Sequence, residues 1–510
     1  MQILSSIINW VMKKRIHQIE LFIKYPHEVQ HELLISQIYD ARRTDFGKEF
    51  GFEDIKDYDA YRSNVPIHTY EQFYPYIERL MRGEQNVLWP SEVKWFAKSS
   101  GTTNARSKFI PVSQESLEDC HFKAGKDMLS IFTNNYPDTK LFSGKSLAVG
   151  GSHQLNEYDP TLSSYYGDVS AVLMQNLPLW AQFIRTPSLD VALMDNWETK
   201  IDKMAQATMD VNVASMAGVP TWTILLLQKI IELKNKSHIL EVWPNLEAFF
   251  HGAVAFHPYR ALFKQLIPGD QMKYCEIYNA SEGFFGIQDQ KDSDELLLML
   301  DYGIFYEFVP ASELDKPNPR ALSLSEIELG KNYAMLISTN AGLWRYNIGD
   351  TVRFTSKNPY RIKISGRTKH FINAFGEEVI VENAEQAITR ACDLTGAVID
   401  NFTAGPVYLD QGKKGGHEWI IEFKQQPSSL ADFTHILDET LRKINSDYDA
   451  KRSHDLALLA PIVHSAKVNT FYNWMKQRGK LGGQHKVPRL ANTREYLDDI
   501  LKMISETKQV

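Results

Sequence analysis

The chain has 510 residues, of which 43% are hydrophobic, 23% charged and 12% aromatic. At roughly 150 residues per domain this is room for about three domains, or for one large α/β domain with a smaller partner, and it excludes a disordered, collagen-like or low-complexity chain. Lys and Arg number 56 against 63 Asp and Glu, a formal net charge of −7, so no chain-wide basic field exists to draw in nucleic acid.

Cys120, Cys275 and Cys392 lie far apart with no CxxC spacing, which argues against a disulfide framework or a thiolate zinc site and fits a reducing cytoplasm. The opening MQILSSIINWVMKKR puts apolar residues before the charges, the reverse of a signal peptide, and no run approaches the roughly 18 apolar residues of a membrane span. Helical spacing continues through Ile16, Leu21 and Phe22 to Val29. It predicts one amphipathic helix packed on its own domain, a membrane-surface or partner helix being the alternative.

From about residue 93 onward, period-two apolar runs alternate with period-3.6 runs, the pattern of an α/β or α+β enzyme without internal repeats. VKWFAK (93–98) and KFIPVS (108–113) read as strands around a loop from Ser99 to Ser107, and SLAVGG (146–151) as a strand running into paired glycines. Pro220 stands at a first helical position, so TWTILLLQKIIELK reads as a buried helix. LEAFF enters HGA, a helix starts near Pro258, and MKYCEIY (272–278) is a strand delivering NASEGFFG. LLLML, IFYEFV and YAMLIS read as further strands.

A boundary is expected at Ser365-Gly366, where RIKIS ends and a pattern of strand, glycine turn, strand and helix begins. Beyond it come GAVIDNFTAG, HEWIIEF, a helix from about Leu430 to Ser446, the strand PIVHSA and a helix from about Asn469 to Lys476. The expected organisation is thus a large N-terminal α/β domain over 1–365, with several β-sheets packed with helices, and a small mobile α+β domain over 366–510.

Three motifs carry chemistry. SSGTTNARSK (99–108) offers backbone N–H groups and hydroxyls to wrap a polyphosphate, with Lys98, Arg106 and Lys108 to offset its charge; it lacks the GxxxxGK[ST] of a P-loop. YNASEGFFG (278–286) sets Glu282 at a strand end, where a carboxylate can hold Mg²⁺ against phosphate oxygens and Tyr278 can stack on a base. WRYNIGDTVRF (344–354) places Asp350 in a turn after Gly349, where an ionised carboxylate can accept both hydroxyls of a ribose. Each has a bland reading as an ordinary polar turn. His251 and His257 have poor metal spacing, and HEWIIEF lacks the second His of HExxH. Trp180, Trp197 and Trp222 read as core.

The order SSGTT, YNASEG, YNIGD, GRTKHFINAFGEEV, then a glycine-rich loop with lysine near the C-terminus, resembles the adenylate-forming superfamily of acyl-CoA synthetases, luciferases and peptide-synthetase adenylation domains. Within it the chain is most similar to the Gretchen Hagen family of auxin-responsive acyl-acid amido synthetases, in a bacterial-length form. FAKSSGTT, YNASEGFFG, RYNIGDTVRF and QHKVPR (484–489) carry that narrower resemblance, which spans about residues 90 to 490.

The resemblance implies roles. Ser99, Ser100, Gly101, Thr102 and Thr103 match the phosphate loop, Gly252 and Ala253 the adenine pocket, and Tyr278, Ala280, Ser281 and Glu282 the adenine and magnesium motif. Asp350 matches the ribose-binding aspartate. Gly366 takes the hinge position, followed in register by Arg367 and Lys369. Lys486 is similar to the C-terminal lysine that reaches the acyl-phosphate, with Lys480 in RGKLGG its rival. Ser215 and Gly218 to Thr221 fall where the acid pocket tends to form. The loop lacks the Gly-x-Pro-Lys tail of many acyl-CoA synthetases, leaving Arg106 or Lys108 as stand-ins, and Asn347 replaces the usual arginine.

The implied activity uses ATP and Mg²⁺. A carboxylate attacks the α-phosphorus of ATP, pyrophosphate leaves, and an amine, an amino acid in this family, then takes the acyl group and releases AMP. Mg²⁺ on Glu282 together with Lys486 would neutralise the charge that builds on the α-phosphoryl oxygens. An acid–CoA ligase differs only in the second nucleophile; a nucleotide-binding regulatory protein would keep the fold without turnover.

Overall fold

The computed structural model describes residues 2–99, 108–150, 153–155, 164–194, 196–254, 256, 259–314, 316, 318–367, 371–409, 414–453, 457–478 and 487–506. It is a mixed α/β structure with a large N-terminal domain and a smaller C-terminal one. The strands are β1 (Trp95–Ser99), β2 (Lys108–Val112), β3 (Lys145–Ala148), β4 (His153–Leu155), β5 (Tyr165–Gly167), β6 (Arg185–Thr186), β7 (Val213–Gly218), β8 (Ala248–His251), β9 (Lys273–Ala280) and β10 (Gly283–Ile287). They continue as β11 (Leu296–Leu298), β12 (Ile304–Pro310), β13 (Asn332–Thr339), β14 (Tyr346–Lys357), β15 (Tyr360–Arg367), β16 (Phe371–Ile372), β17 (Val379–Ile380), β18 (Val398–Val407), β19 (Gly416–Gln425) and β20 (Ile462–Ala466).

One sheet of 11 strands dominates, in the order β12-β13-β14-β15-β11-β10-β9-β8-β7-β3-β6. Its β9-to-β6 half is parallel and its β12-to-β10 half antiparallel. The two central parallel strands are the apolar ones, AFFH in β8 being buried throughout and VASM in β7 likewise, as strands covered on both faces must be. A second sheet, β2-β1-β5-β4, carries the serine- and threonine-rich loop between its first two strands.

The helix Pro220–Lys234 follows its sequence signals closely. Proline stands at the first helical position, Lys234 lies in the last turn, and Asn235 closes the helix at φ +48. It buries Trp222, Ile224, Leu226, Leu227 and Ile230. The same apolar cluster continues into the C-terminal domain through Phe375, Val379, Trp419 and Phe433, and Thr221 Oγ1 donates to the carbonyl of Phe375 at 3.4 Å. Tyr259 adds a second tie, donating to the carbonyl of Ala374 at 2.5 Å.

Two sequence expectations need correction. The N-terminal helix does not run unbroken to Val29: it ends at Lys24, and Pro26 opens a second helix, Pro26–Ala41. The proline signal that located the later helix also applied here. Arg15 anchors the first helix by donating to Asp127 and Asp301, and Tyr302 Oη donates to Asp127 at 2.6 Å. Second, the strand expected to end at Ser365 continues to Arg367. Among the described residues no helix is long and apolar enough to cross a membrane.

Candidate active site

β6, β3, β7, β8 and β9 run in one direction, so their C-terminal ends share an edge, the place where open α/β sheets bind ligands. Along that edge come Gly150 after β3, Gly218 closing β7, Gly252 after β8, and Tyr278 to Ala280 closing β9. Gly252 is demanded by packing: a Cβ there would stand 2.5 Å from the carbonyl oxygen of Ile277, which is backbone and cannot yield cheaply. Ala253 follows at φ +69, and its carbonyl accepts Asn373 Nδ2 at 3.4 Å from the C-terminal domain.

β9 turns back into β10 through Ser281 and Glu282 alone, with Ala280 opposite Gly283. Glu282 is therefore held in a tight turn on the binding edge, half-buried. Tyr278 is buried against Phe285, ring centroids 4.9 Å apart. Its Oη donates to Asp350 Oδ2 at 2.6 Å. Two motifs read separately from sequence are thus joined by a charge-assisted hydrogen bond, a class worth about 1.5–3 kcal/mol.

Asp350 is not in a turn, as its Gly-Asp sequence suggested, but inside β14 and buried. Ala334 pairs with Thr351 and Leu336 with Asn347, so Ile348, Gly349 and Asp350 bulge opposite Met335 alone. Gly349 supplies the φ of +89 that the bulge needs, and its N–H donates to Asn347 Oδ1 at 2.9 Å. A bulge re-aims a side chain without ending a strand. Just upstream, Arg345 turns inward. It grips Glu307 through Nε and Nη2 at 2.8 Å each and donates to the carbonyls of Arg62 and Val65 at 3.0 and 2.6 Å, a buried pair that fixes the start of β14.

On its other side β14 pairs with β15, setting Asp350 opposite Arg367 and Thr351 opposite Gly366. Gly366 has φ +144. The side chain of Arg367 lies outside the described residues, as do Lys369, Lys480 and Lys486. So do Ser100, Gly101, Thr102, Thr103 and Arg106; only the stems of that loop, Ser99 and Lys108, are placed, paired across β1 and β2.

The parallel register of β5 on β1 sets Gly167 opposite Ala97, which brings Asp168 beside Lys98 and Ser99. Asp168 precedes the helix Val169–Gln175 without capping it through its side chain. It is open to solvent yet ringed by protein. Burial and the Asp447 carboxylate push it up to about 6, against the pull of Lys451, Lys200 and Lys98. Lys200 donates to the carbonyl of Gly150, and Lys451 lies 5.6 Å from the centre of the Trp222 ring. Sequence reasoning missed Asp168, Lys200 and Lys451, because only long-range strand pairing and the docking of the C-terminal domain bring them together.

His251 stacks on Phe256 with centroids 4.0 Å apart, and burial lowers it to about 3; His257 is outside the described residues. Among the described residues no group of three or more His, Cys, Asp or Glu is placed to hold a metal ion.

Two solved structures share this fold over nearly the whole chain. The "AtGH3.15 acyl acid amido synthetase in complex with 2,4-DB" superimposes with a TM-score of 0.61 at 17% identity, covering 96% of each chain. A 2-hydroxyisobutyryl-CoA ligase in its thioesterification state gives 0.54 at 12% identity, covering 93% of this chain and 91% of that one. Models of the GH3 family N-terminal, central and C-terminal domains match residues 15–272, 297–367 and 382–495, and the chain belongs to the GH3 family. Its relatives include the indole-3-acetic acid-amido synthetase GH3.3 of Arabidopsis thaliana, 22% identical over 88% of this chain and 87% of that protein. The 4-substituted benzoates-glutamate ligase GH3.12 of the same plant is 21% identical over 96% of each.

Proposed function

We propose that this ligase converts a carboxylic acid and ATP into an acyl-adenylate and pyrophosphate, then transfers the acyl group to the amine of an amino acid with release of AMP. The observation that carries the reading is the Tyr278–Asp350 hydrogen bond on the C-terminal edge of the parallel strands. It sets a carboxylate able to accept ribose hydroxyls next to the hairpin that holds Glu282. Gly252 lies on the same edge, its backbone packed so closely on the Ile277 carbonyl that no Cβ fits.

In this reading Asp350 orients the ribose, while Tyr278, Gly252, Ala253, Ala280 and Ser281 border the adenine. Ser99, Ser100, Gly101, Thr102 and Thr103 receive the phosphates, and Arg367 and Lys486 approach from the C-terminal side. Glu282 would hold Mg²⁺; one carboxylate with substrate phosphates and water is the usual arrangement for this ion, which would screen the charge between phosphate and attacking acid. Lys98 and Lys200 add fixed positive charge at the mouth of the phosphate loop. The two domains divide at Ser365-Gly366, and the backbone freedom of Gly366 suits a change of domain orientation between the two half-reactions. Three free thiols, Cys120, Cys275 and Cys392, fit a reducing cytoplasm.

The test is exchange of radiolabelled pyrophosphate into ATP with pooled aromatic, aliphatic and hydroxy acids, without acceptor. Exchange that depends on one pool supports the reading, and adding amino acids or CoA then names the acceptor. Absence of exchange with every pool, while ATP still binds, refutes it.

A further inference from the structure

A backbone turn of the C-terminal domain rests on the binding edge. It comprises residues 373–378, between β16 and β17. Among the described residues three hydrogen bonds tie it to the large domain: Tyr259 Oη donates to the Ala374 carbonyl at 2.5 Å, Thr221 Oγ1 to the Phe375 carbonyl at 3.4 Å, and Asn373 Nδ2 to the Ala253 carbonyl at 3.4 Å. Thr221 follows closely on Gly218, which ends β7, and Ala253 on His251, which ends β8. Those strands are neighbours, so the turn spans the edge from the expected acid pocket to the expected adenine pocket.

A buried carboxylate shapes that turn. Glu377 accepts the N–H groups of Ala374 at 3.2 Å and Phe375 at 2.6 Å, while the carbonyls of the same two residues accept from the large domain. His417 Nε2 donates to the same carboxylate at 2.8 Å, both side chains being fully buried. Asn445 Nδ2 donates to the carbonyls of Glu377 and Glu378 at 3.0 and 3.1 Å. A carboxylate withdrawn from water is unfavourable unless donors surround it, and here two backbone groups and one imidazole do so. What they hold in shape is a face that the C-terminal domain presents to the site. His417 Nδ1 has no hydrogen-bond partner, so another side chain can replace the ring without stranding a second contact.

We infer that the turn 373–376 covers the acyl-adenylate between the two half-reactions, with Glu377 and His417 as the residues that position it; the inference rests on the ligase reading above. A mixed anhydride open to solvent loses its acyl group to water, which breaks the bond between the acyl carbon and the phosphate oxygen and gives the free acid and AMP. Excluding water until the amine arrives is the task of a closing segment. This turn engages mainly through backbone carbonyls, and two of its three ties are long. It can therefore part to admit ATP and release pyrophosphate while the Glu377 carboxylate keeps its shape.

The experiment compares native protein with Tyr259→Phe, His417→Leu and His417→Gln, using the acid that supports exchange. Pyrophosphate exchange, which uses no acceptor, is measured first and also reports folding. AMP release is then followed without acceptor, and AMP against amide with the amino acid that the native protein uses best. Exchange should stay at or above the native rate in Tyr259→Phe. Where the covered form predominates, hydrolysis scales with the uncovered fraction, so loss of one neutral hydrogen bond should raise acceptor-free AMP release about 2- to 10-fold, with AMP in excess of amide. His417→Leu strips a donor from a charged acceptor and should raise it about 10- to 100-fold, while His417→Gln restores a donor and should lie near native. The inference is overturned by unchanged acceptor-free AMP release in Tyr259→Phe, by exchange and amide formation falling together there, or by native protein that hydrolyses its adenylate as fast as it forms it. In each case native exchange upholds the ligase, and Tyr259→Phe decides even where His417→Leu does not fold. Absence of native exchange removes both.

Discussion

Tyr278 and Asp350, 72 residues apart in sequence, meet in a hydrogen bond of 2.6 Å between phenol and carboxylate. Tyr278→Phe keeps the ring against Phe285 and deletes that bond. It should lower kcat/KM for ATP in pyrophosphate exchange about 10-fold, with Asp350→Ala about 100-fold or worse, because the larger change removes the acceptor itself. Equal rates in native protein and Tyr278→Phe would mean that the bond only braces the strands.

Glu282 occupies the turn between β9 and β10. Glu282→Gln preserves shape and removes charge, so exchange should fall on the order of 10²–10³-fold and the Mg²⁺ concentration for half-maximal rate should rise. A magnesium titration of exchange reads both; an unmoved titration assigns the ion elsewhere.

Lys486 and Lys480 compete for one role. Lys486→Ala should slow adenylation on the order of 10²–10³-fold while Lys480→Ala leaves it near native. The reverse pattern in single-turnover adenylate formation would exchange the two assignments.

Gly252→Ala drives a methyl group against the Ile277 carbonyl, 2.5 Å away before any shift. The expected cost is about 1–3 kcal/mol, with weaker ATP binding. Urea unfolding with and without ATP checks both parts, and an unaltered midpoint would show that β8 and β9 can separate freely.

Buried histidines set the acid limit of stability. Burial lowers His68 to about 4 against the upward pull of the Trp344 carbonyl, and lowers His121 to about 4 and His251 to about 3. Unfolded, each titrates near 6.5, so below that pH the unfolded chain binds protons that the fold refuses. Stability is full above pH 6.5 and falls toward pH 4 by on the order of 2–3 kcal/mol per group. His121 Nδ1 has no hydrogen-bond partner, so His121→Leu should retain the fold and flatten part of this slope. Urea midpoints between about pH 7 and pH 4.5 measure it.

Local signals in the sequence carried much of the fold. Pro220 located its helix to the residue, and the apolar runs marked β9, β12 and β13; Glu282 was read at a strand end, but the return strand β10 that makes the turn a hairpin was not. Where the reading slipped, a local signal had more than one structural meaning. Gly349 marks a place where φ must be positive, which serves a bulge as well as a turn, and Asp350 went to the wrong one. Pro26 was a helix start hidden inside a continuous apolar period. Asp168 and Lys200 had no local signal at all: a parallel register on β1 and a lysine reaching Gly150 are properties of the assembled chain.

The ladder between β14 and β15 has a mechanical consequence. Asp350 and Thr351 share rungs with Arg367 and Gly366, so a swing of the C-terminal domain about residue 366 would have to peel those rungs first. The strand that must let go is the one that carries Asp350. If the proposed hinge at residue 366 operates, a ligand that grips that carboxylate would also hold the last rungs shut, and the joint would work as a clutch set by what Asp350 holds.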